Sequence, residues 1–209
     1  MFERDVQSDL DAYIEGWLTE DEFLAKSRPW SNYQDDYRPL IEYAKQKKLT
    51  VIAANIPRSI AGKMARTGPD FTETLAEEDK KWLPDKIDYP DDGYKKAFLA
   101  TLEDMHSPMM NNNPDWLYQA QCLKDETMAE SIVNALKMKP KARVLHFNGD
   151  FHSRNFSGTV SRVQSILPNK KIAVISPSYC ENWQTANLTA EEKKSGTYII
   201  YLPNQGGEQ

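Results

Sequence analysis

A short apolar run that stops at a glycine limits the fold of this chain more than any other stretch. Residues 144–155 read VLHFNGDFHSRN, in which a mostly apolar run meets the glycine at position 149 and an amphipathic segment begins near Asn155. That order predicts a strand, a tight turn and a helix. In an open α/β sheet, such a junction lies at the carboxyl end of a strand, which is where these folds bind ligands. The stretch is therefore both a fold element and a candidate site.

The two histidines of this stretch have different interpretations. His146 alternates with apolar neighbours inside the predicted strand, which indicates a core histidine held by hydrogen bonds. His152 follows the glycine turn, where side chains project towards solvent or ligand. The predicted functional motif is Gly149-x-x-His152. Asp150 and Arg154 flank its imidazole.

Apolar runs and helical patterns alternate along the chain. Strands are predicted at 50–56, 142–148, 171–176 and 197–202. The alternation indicates the α/β class, with a mostly parallel central sheet flanked by helices. A length of 209 residues suits one domain, which we expect to span 1–203 and to be followed by a flexible polar tail at 204–209.

Other candidate site residues lie just after the predicted strands or in one loop. Arg58 follows the first strand, where it is either a ligand contact or a solvated helix-start arginine. His106 shares a loop with Met109 and Met110, whose soft side chains either line a cofactor pocket or fill gaps in the core. Tyr179 comes just after the third strand and is a further possible ligand.

Composition excludes several classes of function. The net charge is −5, both signs are interspersed, and no basic run is interleaved with aromatic residues, so nucleic acid is not an expected partner. The two cysteines have no companion at metal-ligand spacing, which argues against a disulfide framework or a zinc site. The sequence shows neither an apolar stretch of membrane-spanning length nor the apolar core of a signal peptide at its start.

Four separated motifs resemble one known family. They are MFERDVQ at 1–7, ANIPR at 54–58, QAQ at 119–121 with DETMA at 125–129, and HFNGDFH at 146–152. Together, and in this order, they resemble the ChaN-like haem-binding uptake proteins. That family belongs to the wider group that also holds the TraB, Tiki and erythromycin-esterase-like proteins. The resemblance extends from the first residue to about the last predicted strand.

The resemblance implies a fold, a location and a set of site residues. It implies an α/β domain with a parallel-type sheet, a lipid-anchored place in the cell envelope, and a role in haem or iron uptake with outer-membrane uptake machinery as a partner. Wider relatives use a Glu-His pair and the Gly-x-x-His motif at a shared site. Carried over to the matching positions of this sequence, that site comprises Glu3, Arg58, Asp125, Gly149 and His152.

The sequence departs from the family pattern at its start. Family members carry a signal segment and a first strand with a Gly-Glu-x-His motif upstream of the strand that ends in Phe-Glu-Arg-Asp, whereas this chain begins after that motif. We therefore expect part of the family site to be absent. We also expect an open sheet edge that invites pairing with another chain, including a homodimer.

Three functions follow from these patterns. The first is haem binding, which needs an axial His, Tyr or Met ligand and an apolar pocket. The alternative is a hydrolase of the wider group, metal-dependent or not, with Glu3 as general base and His152 as acid or ligand. The third is an interaction domain whose polar cluster only satisfies the ends of strands and helices. The sequence favours haem binding, with the protein acting as a binding protein rather than as an enzyme.

Overall fold

The computed structural model describes residues 2–104 and 113–203 of the chain. These residues belong to two compact units, Met1–Val144 and Leu145–Gln209. The loop that holds His106, Met109 and Met110 lies outside the described residues.

The first unit is helical. Its helices are α1 (Gln7–Ile14), α2 (Glu20–Ser27), α3 (Arg38–Lys47), α4 (Arg58–Thr67), α5 (Glu77–Lys80), α6 (Gly93–Asp104) and α7 (Pro114–Met138). Local sequence signals fix several ends. Thr19 and Glu22 form a capping box at the start of α2. Asn113 caps α7, and Pro114 occupies its first turn, where the missing N–H costs nothing.

Two hydrophobic clusters hold the first unit together. One lies between α4 and α7, where Ile60 and Met64 pack with Leu123. The other joins the N-terminal segment to α1 and α2, and in it Phe23 stacks on Tyr13. Burial of this apolar surface is the main favourable term for such a helical unit.

The second unit is small and contains the sheet. Its elements are two short 3-10 turns (Asp150–His152 and Arg154–Phe156), α8 (Thr159–Ile166), β1 (Ile175–Cys180), a further 3-10 turn (Glu192–Lys194) and β2 (Tyr198–Pro203). β1 and β2 pair in parallel, with Ile175 opposite Tyr198. The third and fourth predicted strands are therefore confirmed, the third shifted towards the C-terminus by four residues.

The other two predicted strands are wrong, because neither forms a hydrogen-bonded ladder with a neighbouring strand. Residues 50–56 contribute only a single parallel bridge, between Asn55 and Glu3. Residues 142–148, all of them described, contain no strand, and Leu145 and Phe147 are exposed. An apolar run indicates that a segment prefers to be buried. A strand also needs hydrogen bonds to a neighbouring strand, and the run does not specify that neighbour.

His146 was predicted to be a core histidine within one of those strands, and it is instead half-buried in irregular chain. The α/β class itself is confirmed, because helices accompany a parallel sheet. No helix within the described part of the chain is both long and apolar enough to cross a membrane.

Candidate functional site

The turn that carries His152 is a single short 3-10 turn. The N–H of His152 donates to the carbonyl of Gly149 at 2.9 Å, and the N–H of Ser153 donates to the carbonyl of Asp150 at 3.0 Å. Gly149 has φ −62°, and a Cβ built on it comes no closer than 3.9 Å to the His152 ring. Neither the backbone nor the available space therefore requires glycine at position 149.

Asp150 ties this turn to the sheet. Its Oδ1 accepts a hydrogen bond from the hydroxyl of Ser176 in β1, and its Oδ2 pairs with the guanidinium of Arg154 at 3.0 Å. Ser176 is fully buried, so its hydroxyl needs such a partner. The predicted flanking pair, Asp150 and Arg154, thus forms an ion pair that positions the turn. His152 is half-buried beside it.

A second serine, on the same face of β1 as Ser176, is hydrogen-bonded to the segment that contains Glu192. Ser178 donates to the carboxylate of Glu192, which also accepts from the N–H of Thr189 at 2.8 Å. The hydrogen bond from Ser178, followed by those from Thr189, lowers the pKa of Glu192 to about 2. A backbone bond from Asn155 to Ser195, at 2.9 Å, links the segment after Glu192 to the chain that follows the His152 turn.

The opposite face of the sheet is apolar and largely exposed. Side chains alternate along a strand, and paired residues of parallel strands share a face. The register therefore places on one face Ile175, Pro177, Tyr179, Tyr198, Ile200 and Leu202, which we call the apolar face. Tyr179 is 60% exposed and Tyr198 62% exposed. Because Ser176 and Tyr179 project from opposite faces, the sheet does not bring Tyr179 and the His152 turn onto one surface.

In the first unit, the structure brings Glu3 and Arg58 together. Glu3 is buried, and its Oε1 accepts from Nε of Arg58 while its Oε2 accepts from Arg28 at 3.0 Å. Arg58 also donates to the backbone carbonyl of Arg28 at 2.7 Å. Both carboxylate oxygens thus accept guanidinium donors, and a general-base role for Glu3 would require one of them to move.

Arg28 was not predicted from the sequence. It ends α2 in the left-handed conformation, with φ 50°, and bridges Glu3 to Asp5. A non-glycine residue rarely adopts that conformation, and no local sequence signal marks the position.

Asp125 lies in a buried polar cluster between α6 and α7. Its carboxylate accepts from the hydroxyl of Tyr94 at 2.6 Å, and Gln121 donates to that same hydroxyl at 3.2 Å. Burial, followed by the negative charge of Asp125, raises the pKa of Tyr94 well above its ordinary value. Gln121 and Asp125 of this long helix are both buried.

Metal-ligating groups do not converge anywhere in residues 2–104 and 113–203. Among these residues, no three His, Cys, Asp or Glu side chains lie close enough together to hold a metal ion. His106, Met109 and Met110, predicted as possible cofactor contacts, stay predictions because they fall outside these ranges.

Comparison with known proteins gives one family and one fold. The family model described as "Haem-binding uptake, Tiki superfamily, ChaN" matches residues 1–163. A solved structure titled "Cofacial heme binding to ChaN of Campylobacter jejuni" superimposes with a TM-score of 0.63 and 19% sequence identity, covering 95% of this chain and 70% of that one. At this identity the likeness establishes the fold. No curated protein matches the chain.

Proposed function

We propose that this chain, which belongs to the haem-binding uptake family ChaN of the Tiki superfamily, binds haem on the apolar face of its sheet. Two comparisons support a haem ligand. The family description names haem binding, and the solved structure with the same fold is a haem complex by its title. The observation that carries the proposal is the exposed apolar face with a tyrosine hydroxyl in it.

The apolar face fits the chemistry of a haem. A haem needs an apolar surface for its macrocycle and a donor atom for its iron. Five residues of β1, from Ile175 to Tyr179, extend this face by roughly 13 Å at ~3.3 Å per residue. A contiguous exposed apolar patch on a protein surface commonly marks a binding site.

Three residues of the apolar face have specific roles in this proposal. The phenolic oxygen of Tyr179 is the proposed iron ligand, and the haem itself supplies the iron. Tyr198 and Ile200, which are also exposed, would pack against the macrocycle. His152 is a second candidate contact and a separate one, because the structure attaches its turn to the opposite face of the sheet from Tyr179.

A flat face covers only one side of a planar ligand. Ligand sites usually bury most of the surface of the molecule they bind. The other side of the macrocycle therefore needs a second surface, and we propose that a second copy of this chain supplies it. The family description names haem uptake. We extend the proposal from there to haem or iron uptake in the cell envelope, with outer-membrane machinery as a partner.

The hydrolase alternative receives less support from the geometry. It requires Glu3 as a general base, and both oxygens of that carboxylate accept arginine donors. We therefore place haem binding first.

A haemin titration tests the proposed function. We expect the Soret band of haemin to shift and saturate with the wild-type chain, and Ile200→Asp to weaken binding strongly because a charge enters the apolar face. Ile166→Asp is the matched control, since Ile166 of α8 is similarly exposed but lies outside that face. His152→Ala and His106→Ala, run alongside, test the two predicted histidine contacts.

The same titration can refute the proposal. Binding that does not saturate in the wild type would overturn haem binding. Saturable binding that Ile200→Asp leaves unchanged would move the site away from the apolar face.

A further inference from the structure

A basic surface forms in the first unit where two helices end. The C-terminal ends of α3 and α7 continue into two segments that approach each other there, because Nζ of Lys139 donates to the hydroxyl of Thr50 at 3.2 Å. The cations of these two segments are Lys47, Lys48, Lys137, Lys139, Lys141 and Arg143, which we call the basic surface. Residues 46–50 and 137–144, whose cations are these six, contain no aspartate or glutamate. Six positive charges therefore lie in two neighbouring segments of a chain whose net charge is −5.

The basic surface is exposed to solvent and includes apolar side chains. Every residue in 46–50 and in 137–144 is exposed. Met138 is 75% exposed and Leu49 49% exposed, each next to a lysine. Lysines with neighbouring exposed apolar groups are typical of surfaces that meet the headgroup region of a bilayer, where long basic side chains reach phosphate and apolar groups enter the interface.

Helix capping accounts for only part of this charge. Cations near the last turn of a helix interact favourably with its dipole, which suffices for Lys47 and Lys137. Lys141 and Arg143 lie beyond the end of α7, where the dipole effect has fallen away. Helix capping therefore does not account for Lys141 and Arg143, and a surface of this charge favours an anionic partner.

We propose that the basic surface docks this protein onto an anionic lipid bilayer. Each basic residue near an anionic membrane surface contributes about 1 kcal/mol, so six such residues give appreciable attraction even without an inserted helix. The exposed Met138 and Leu49 favour a bilayer over nucleic acid, because single strands bind mainly through stacking on aromatic side chains. The inference stands apart from haem binding, since none of these residues belongs to the apolar face.

Vesicle co-sedimentation tests the proposal with the full chain. We expect binding to phosphatidylcholine vesicles that contain phosphatidylglycerol, little binding to phosphatidylcholine alone, and release at high salt because exposed charges are screened. Lys141→Gln/Arg143→Gln should weaken binding roughly 25- to 30-fold, which is about fivefold for each of two charges. The control Lys96→Gln/Lys193→Gln removes the same net charge from exposed positions elsewhere and should bind like the wild type.

Each result either supports or overturns the proposal. No binding to anionic vesicles, equal binding to both vesicle types, or an equal loss in the control variant would overturn it. Duplex DNA or single-stranded RNA serves as a competing probe. If either binds with the same dependence on Lys141 and Arg143 while vesicles do not bind, the basic surface is a nucleic-acid site instead.

Discussion

The two compact units are stabilised in different ways. In the first, large apolar side chains such as Leu10, Phe71 and Leu123 are almost completely buried in two clusters. In the second, across residues 145–203, Val163 and Val174 are the only buried hydrophobic residues. Its buried polar or charged residues are Thr159, Arg162, Ser176, Ser178 and Ser195.

This difference predicts how each unit responds to change. Apolar burial is non-directional and scales with area, so the first unit should be sensitive to lost volume. Hydrogen bonds to carboxylates depend on geometry and protonation, so the second unit should respond to single hydroxyl groups and to pH. Four substitutions, taken from the largest expected effect to the smallest, sharpen or break the comparison.

Truncation of Leu123 should have the largest effect. Leu123→Ala removes a fully buried side chain from the cluster between α4 and α7, and we expect the free energy of unfolding to fall by about 2–5 kcal/mol. Leu40→Ala, at a partly exposed position of α3, should cost much less. Urea unfolding followed by circular dichroism measures both. Equal losses would show that the first unit does not depend on this core.

Gly196→Ala should destabilise the second unit by steric overlap. A Cβ at this position would lie 2.9 Å from the carbonyl oxygen of Val174, so backbone next to the sheet must move, at a cost of about 1–3 kcal/mol. Gly149→Ala is the matched control, because its nearest neighbour is 3.9 Å away. We expect that control to stay within about 0.5 kcal/mol of the wild type. Hydrogen exchange of the β1 and β2 amides reports the difference, and identical protection in the two variants would contradict the steric explanation.

Ser176→Ala should loosen the turn that carries His152. The substitution removes the hydroxyl group that donates a hydrogen bond to the carboxylate of Asp150. The loss of a hydrogen bond to a charged group costs about 1.5–3 kcal/mol of stability. The cost is smaller if the ion pair with Arg154 compensates. Amide exchange at residues 150–153 should become faster, while exchange in α7 stays unchanged. If protection of the turn is unaffected, Asp150 does not fix it to the sheet.

Glu192 should make a small contribution to folding stability that depends on pH. Its pKa in the folded chain is about 2, below the ordinary value of 4.5, so the stabilisation is present above about pH 4.5 and is lost as the pH falls towards 2. The difference in stability between the wild type and Glu192→Gln should therefore shrink across that range. Thermal melts at a series of pH values test this, and a constant difference would indicate that Ser178 and Thr189 do not favour the charged carboxylate.

Local signals in the sequence predicted the two strands of the second unit to within one to four residues. Signals of the same kind, side-chain spacings within one segment, account for the capping box at Thr19 and for the long helix α7 that ends at Met138. Residues 50–56 show the limit of such signals. They form a bridge at Asn55 instead of a ladder, because strand pairing depends on a partner distant in sequence.

The candidate site was only partly predictable for the same reason. The sequence placed Glu3 and Arg58 in one site through a family resemblance, and the structure pairs them. The contribution of Arg28 depends on a left-handed helix end and could not be inferred from its neighbours. The exposure of Tyr179 could not be inferred from the sequence either, because the exposure of a sheet face depends on which parts of the fold cover it.

The most direct test of the account compares Tyr179→Phe with Tyr198→Phe in a haemin titration. Both residues lie exposed on the apolar face, and each substitution removes only a hydroxyl, so the apolar surface and the stability should be preserved in both variants. If Tyr179 ligates the iron, Tyr179→Phe alone should lose the wild-type Soret maximum and most of the affinity, with melting temperatures equal to that of the wild type. Identical wild-type spectra and affinities in the two variants would contradict a haem site centred on Tyr179.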